Sequence, residues 1–372
     1  MSHDHKKPVS RRQFLAQGIG TGGTILLAPT LTSLIARRVL GAPPPEGCPS
    51  VSAGSGRVPF VCVDLAGGAN IAGSNVVVGK RGGQKDFLTS YAALGLPDSM
   101  RPQNGGQLNE EFGLAFHSDS AFLRGMQAVT TAPTRARMDG VVFCTASNDD
   151  TSNNPHNPSY WIAASGSRGA LAALSGTNNS NSGGNSNLPP ASYNPIYRPV
   201  LVRSPADARS LVQAGKLVTL LSAQKAELIG QAIERLSSSQ LERFNRADLP
   251  AQVKQLVSCG YFNANEIARQ FTPQAIDPQN DADVTTVFNN MAGSGFEQRA
   301  GTAAKLILDG FVGAATIEAG GYDYHTGDRV VGEQRDFEAG RIVGQLFETA
   351  ARKGRDLMVY VFTDGGVSTD RV

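Results

Sequence analysis

Val58-Pro59-Phe60-Val61-Cys62-Val63-Asp64-Leu65-Ala66-Gly67-Gly68 is the stretch that decides the fold. Its apolar residues run on continuously instead of alternating with polar ones. A strand buried on both faces reads this way, as in a parallel sheet covered by helices. An acid closes the run, and a glycine pair then turns the chain. Two later stretches repeat the plan. Asp356 to Thr363 (DLMVYVFT) ends in Asp364-Gly365-Gly366, and Ala314 to Glu318 leads into Gly320-Gly321-Tyr322-Asp323-Tyr324-His325. Gly140 to Thr145 (GVVFCT) predicts a fourth buried strand, and Val76 to Gly79 a short one. Helical spacing covers 122–129, 297–311 and 336–352, the last with Phe337, Ile342, Val343, Leu346 and Phe347 on its apolar side. Alternation of strand and helix predicts an α/β fold with a mainly parallel, doubly wound sheet.

Between these elements the composition changes. Residues 175–199 are rich in Asn, Ser, Gly and Pro and read as a surface loop. Residues 205–296 read as a mostly helical insert, with Ser239 and Glu242 spaced as a capping box. Residues 43–57 read as a linker, leaving 58–372 as the α/β domain. The 372 residues are 40% hydrophobic and 18% charged, enough for a sizeable core and too apolar for bulk disorder.

The first 42 residues differ from the rest. They hold Lys6, Lys7, Arg11, Arg12, Arg37 and Arg38 against Asp4 alone, so the remaining body is net acidic although the whole chain is +2. That balance gives the body no general electrostatic reason to bind nucleic acid. Ser10-Arg11-Arg12-Gln13-Phe14-Leu15 matches the twin-arginine export pattern, and an apolar stretch broken by glycines follows it. Residues 1–42 are therefore expected to be a signal peptide recognised by the twin-arginine export machinery, with Leu40-Gly41-Ala42 as the cleavage site. Pro43 is awkward there for signal peptidase, and an uncleaved signal would be the chain's only membrane attachment. The expected location is the periplasm or beyond. Disulfides are permitted in that compartment, and Cys48, Cys62, Cys144 and Cys259 leave three pairings open. Cys62 and Cys144, inside apolar runs, are expected to be buried thiols.

The chemistry-bearing residues cluster at strand ends. In open α/β sheets the crevice outside the carboxyl ends of the strands is where ligands bind. Asp64, Asp323 and Asp364 would meet there and repel one another unless a cation neutralised them. Asp323 and His325, two apart, face the same way in an extended segment. A carboxylate and an imidazole together suit zinc, with calcium, magnesium or manganese as alternatives. His156, in Asn153-Asn154-Pro155-His156-Asn157-Pro158-Ser159, is a further ligand candidate. His117 reads either as a ligand or as a polar loop residue before a helix. Trp161 reads either as core or as pocket lining.

Several of these segments together resemble a known family. VCVDLAGGAN, FGLAFHSDSAFLRGM, NNPHNPSYW, GGYDYHTGD and VYVFTDGG, behind the twin-arginine leader, are similar to the exported family termed domain of unknown function 1501. That family is related to the alkaline phosphatase and sulfatase superfamily. The resemblance spans residues 58–168 and 300–366 and implies a metal on Asp64, on Asp323 with His325, and on Asp364. It also implies a hydroxyl nucleophile after the first strand, for which Ser74, Thr89 and Ser90 are candidates. Tyr322 replaces a family Trp, and Gly365 stands where many members have His. A later His-containing metal segment is not found before Val372, so a C-terminally truncated chain is expected. The implied function is an exported metal-dependent hydrolase acting on small phosphate or sulfate esters. The rival is a non-catalytic exported protein that binds a surface ligand with a degraded site.

Overall fold

The computed structural model describes residues 58–103, 107–144, 147–148, 157–165, 167, 169–177, 199–212, 273–292, 295–322, 329–363 and 365–366. The leader, the linker, the capping box, Cys48 and Cys259, and most of the Asn/Ser/Gly loop and helical insert lie outside the described residues. The chain divides into two compact units. One comprises Met1–Ser52 with Arg209–Ile276, the other Ala53–Ala208 with Asp277–Val372.

The second unit is α/β. Its strands are β1 (Phe60–Ala66), β2 (Leu108–Asn109), β3 (Phe116–His117), β4 (Ser147–Asn148), β5 (Ala172–Gly176), β6 (Val200–Leu201), β7 (Val312–Gly320), β8 (Met358–Phe362) and β9 (Gly365–Gly366). Five of them form one sheet in the order β6-β5-β7-β1-β8, and every pairing in it is parallel. The decisive stretch is thus an interior strand, with Val61, Cys62 and Val63 at 0% exposure, as a parallel strand covered on both faces requires. The described helices of the chain are α1 (Ala121–Gln127), α2 (Ala132–Arg135), α3 (Ser159–Ala164), α4 (Pro205–Ser210), α5 (Pro273–Ile276), α6 (Ala282–Val287), α7 (Phe296–Leu308) and α8 (Arg329–Arg352), of which α5 belongs to the first unit. Helix α3 packs on β5 and β7, α7 on β7 and β1, and α8 on α1, α6 and α7. Alternate residues Phe60 and Cys62 of β1 join Leu174, Ala314 and Phe362 beneath Ala163 of α3. Among the described residues no helix is long and apolar enough to cross a membrane.

The structure corrects some expectations. Residues 140–144 are not a strand. Val142 and Cys144 pack onto a loop core of Val77, Tyr91 and Leu94, whereas Val141 (66%) and Phe143 (70%) face solvent. The segment is half-buried on one side and has no strand neighbour, so its apolar run does not mark a sheet interior. Residues 76–79 make only isolated bridges, of Val76 with Ala72 and Phe116 and of Gly79 with Phe87. The loop expected to begin at residue 175 starts later, because Ser175 and Gly176 complete β5. Trp161 is not part of the core; it is 62% exposed.

Candidate functional site

The carboxyl ends of β1, β7 and β8 meet at one edge of the sheet. Register sets Asp64 opposite Glu318 on one side and Phe362 on the other. Asp64 is 1% exposed and lies on the same face of β1 as Cys62. Burial pushes the Cys62 thiol well above its ordinary range; a hydrogen bond to Thr316 opposes this, and the Asp64 charge adds to it. A carboxylate withdrawn this far from water requires compensating hydrogen bonds or a cation.

The turn after β1 is tied to both neighbouring strands. Thr363, directly after β8, accepts the N–H groups of Gly68 (3.1 Å) and Ala69 (2.8 Å) and donates to the Leu65 carbonyl (2.7 Å). Gly67 and Gly68 take positive φ, of 120° and 105°, which the tight turn demands and side chains resist. The Tyr322 N–H donates to the Ala66 carbonyl (3.2 Å), fastening the segment after β7 to the end of β1. Tyr322 itself is buried, and its hydroxyl donates to the Arg335 carbonyl (3.1 Å). Burial, with Glu338 and Asp336 nearby, raises its pKa.

Asp323, His325, Asp364 and His156 lie outside the described residues. In sequence Asp323 follows Tyr322 and Asp364 follows Thr363, and both of those neighbours are fastened to the end of β1. Asn157, next after His156, is buried, and its Oδ1 accepts from the Ser159 amide and hydroxyl at the start of α3. Among the described residues no group of three or more His, Cys, Asp or Glu could hold a metal. His117 reads as structural: the Asp119 N–H donates to Nδ1 (3.1 Å), which leaves Nε2 to donate to the Met100 carbonyl (2.9 Å).

The three nucleophile candidates separate. Thr89 is exposed on a loop. Ser90 accepts the Ala92 N–H (3.2 Å), a turn-forming role. Ser74 lines an open pocket of about 270 Å³ with Asn70, His117, Asp119, Glu333 and Asp336. Its hydroxyl donates to the Asn70 carbonyl and accepts weakly from Asn75 (3.4 Å). Asn75 carries the wall of that pocket: its amide donates to Asp336 (2.8 Å), and its Oδ1 accepts from the Ser120 hydroxyl and the Phe122 N–H. Neither Asn75 nor Thr363 is marked out by sequence, since neither residue type in isolation signals a site. No family model, curated protein or solved structure matches the chain.

Proposed function

We propose that this protein is an exported, metal-dependent hydrolase of phosphate or sulfate esters, with a doubly wound fold of the alkaline phosphatase and sulfatase kind. The observation that carries this reading is the fastening of the β7 and β8 ends onto the turn after β1, around buried Asp64. Asp64 fits a metal ligand, because a carboxylate at a buried strand end favours a cation over water. Asp323, His325 and Asp364, with His156, are the proposed partners. A divalent ion held there supplies Lewis-acid polarisation of the ester oxygens. Zinc suits a ligand set that mixes imidazole and carboxylate.

The chain's own contribution is positional. Thr363 and Tyr322 hold the three strand ends in register, and Gly67 and Gly68 let the backbone approach closely. Ser74 is the preferred nucleophile, as the one candidate lining a cleft, and attack would require its hydroxyl to leave the Asn70 carbonyl. The rival reading, a non-catalytic exported binder, is favoured by Gly365. That residue stands at a position often filled by His in the resembled family and pairs in β9 with Asn148 of β4.

The test is elemental analysis of dialysed full-length protein, together with hydrolysis of an aryl phosphate and an aryl sulfate. The expected result is about one or two divalent ions, with His325→Ala or Asp64→Asn weakening binding by about ten- to a hundredfold. Metal without hydrolysis would favour the binder. Absence of metal, with no thermal shift on chelation, would discard the site.

A further inference from the structure

The strand ends beside the β1 edge carry a second kind of charge. Arg203 follows β6, and Arg299 lies in the first turn of α7. Arg203 Nε donates to the carbonyl of Thr177, the residue after β5 (3.0 Å). Thr177 Oγ1 in turn accepts the N–H of Glu318 in β7 (2.9 Å). Arg299 Nη2 donates to the Glu318 carbonyl (3.1 Å). One threonine thereby links two guanidiniums held on the ends of β5, β6 and β7.

Among the described residues neither guanidinium is neutralised by direct contact. Each gives one N–H to an uncharged carbonyl, and among the described residues neither forms an ion pair. Arg299 Nε is buried and has no hydrogen-bond acceptor among the described residues. Burial disfavours the Arg299 charge; Glu318 and Glu338 support it at longer range, and Arg203 opposes it. Glu338 is already paired with Arg335 (3.2 Å). Arg203 is exposed and Arg299 half-buried, so the pair is open to solvent on one side. A guanidinium carries five donors in a planar fork that matches phosphate and sulfate oxygens. Two such forks call for two negative charges, which a tetrahedral dianion carries and a carboxylate does not.

We propose that Arg203 and Arg299 form a binding site for a tetrahedral oxyanion, phosphate or sulfate, at the carboxyl edge of β5, β6 and β7. Glu318 is the register partner of Asp64, so this site lies one strand from the proposed metal ligand. The inference goes beyond the hydrolase reading, because an arginine-held anion needs neither a metal nor a bond-breaking step.

The experiment titrates the full chain with sodium phosphate, and separately with sodium sulfate. A chelator is present throughout, and ionic strength is held constant with sodium chloride. Calorimetry and thermal shift are the readouts. Saturable binding is expected for the wild type. Arg203→Gln, at an exposed position that leaves the fold intact, should weaken it by about ten- to a hundredfold, the range of a lost charge-assisted hydrogen bond. Arg299→Lys, which keeps the charge and removes the fork, should weaken it comparably. No saturable binding, or equal binding by wild type and Arg203→Gln, overturns the proposal. So does anion binding that appears only when a divalent metal replaces the chelator. That last result would leave the hydrolase reading standing, and arginine-dependent binding without ester hydrolysis would do the reverse.

Discussion

Thr363 and Cys62 show how much single side chains decide at this edge. Thr363 satisfies two backbone donors of the β1 turn and one carbonyl, and a buried donor left without an acceptor costs about 1–3 kcal/mol. Thr363→Val keeps the shape and removes all three bonds, so a loss of roughly 2–4 kcal/mol is expected in urea unfolding, with Thr363→Ser close to wild type. An equal loss in both variants would mean that packing of the methyl group, and not the hydroxyl, holds the turn. Cys62, at 0% exposure and with its pKa pushed up by burial, should resist a thiol-reactive probe at pH 8 until the protein unfolds. Half-buried Cys144 should label first, and peptide-resolved mass spectrometry distinguishes the two. The sequence places both in apolar runs and so cannot rank them. The difference arises from the neighbours, a sheet interior around Cys62 and a one-sided loop core under Cys144.

Helices α1 and α8 touch backbone to backbone. A Cβ on Gly340 would lie 1.9 Å from the Phe122 carbonyl oxygen, and one on Gly125 would lie 2.1 Å from that of Phe337. Gly340→Ala should therefore lower stability by about 1–3 kcal/mol despite the better helix propensity of alanine, measured as a fall in the urea midpoint. On the other side, Asp281 caps α6 by accepting from the Asp283 and Val284 amides. It also receives Lys305 (2.8 Å) of α7 and Lys353 (2.7 Å) just after α8. Asp309 pairs with both lysines, 2.9 Å from Lys353. Burial alone would raise the Asp281 pKa, but the hydrogen bonds and charges of the two lysines outweigh it and bring it down to about 2. A depressed carboxylate stabilises the fold above its unfolded pKa of about 4 and loses that contribution as pH falls towards 2. About 2 kcal/mol should disappear over that window, and Asp281→Asn should flatten the acid limb of the stability profile. At this scale the sequence reads unevenly. The β1 and β8 stretches are evident because unbroken runs rich in Val and Phe suit a parallel strand, and β7 because a short apolar run with Val312 and Ile317 leads into a glycine pair. The sequence AALSG of β5 carries no β-branched residue, and β6 is two residues long. Both are strands because β7 lies beside β5, a tertiary cause that no local window contains.

The whole molecule combines a basic leader with an acidic body, and only the sequence speaks to the leader. Conversion of Arg11 and Arg12 to Lys should hold the protein in the cytoplasm; undiminished periplasmic yield, read by fractionation, would overturn twin-arginine export. The candidate site was partly legible at this scale. Acids at three strand ends point to one crevice, and the parallel register of β1 with β7 and β8 brings those ends to one edge. The anion-binding pair was not legible. Arg203 and Arg299 are 96 positions apart, one just before the stretch read as a helical insert and the other in the helix read after it. Only the β5–β7 pairing, through Thr177 and Glu318, brings them together.

The Thr363 bond to Leu65 spans 298 positions of chain. Synthesis proceeds at about 5–20 residues per second, so the turn that follows β1 waits roughly 15–60 s for its clasp. Until β7 (Val312–Gly320) is made β1 has neither lateral neighbour, and until β8 (Met358–Phe362) follows it has only one, so its apolar run is a sticky nascent edge. The expected consequence for the cell is that the growing chain needs shielding until β8 has emerged. Arrest of translation ahead of residue 358 should leave the β1 segment open to protease.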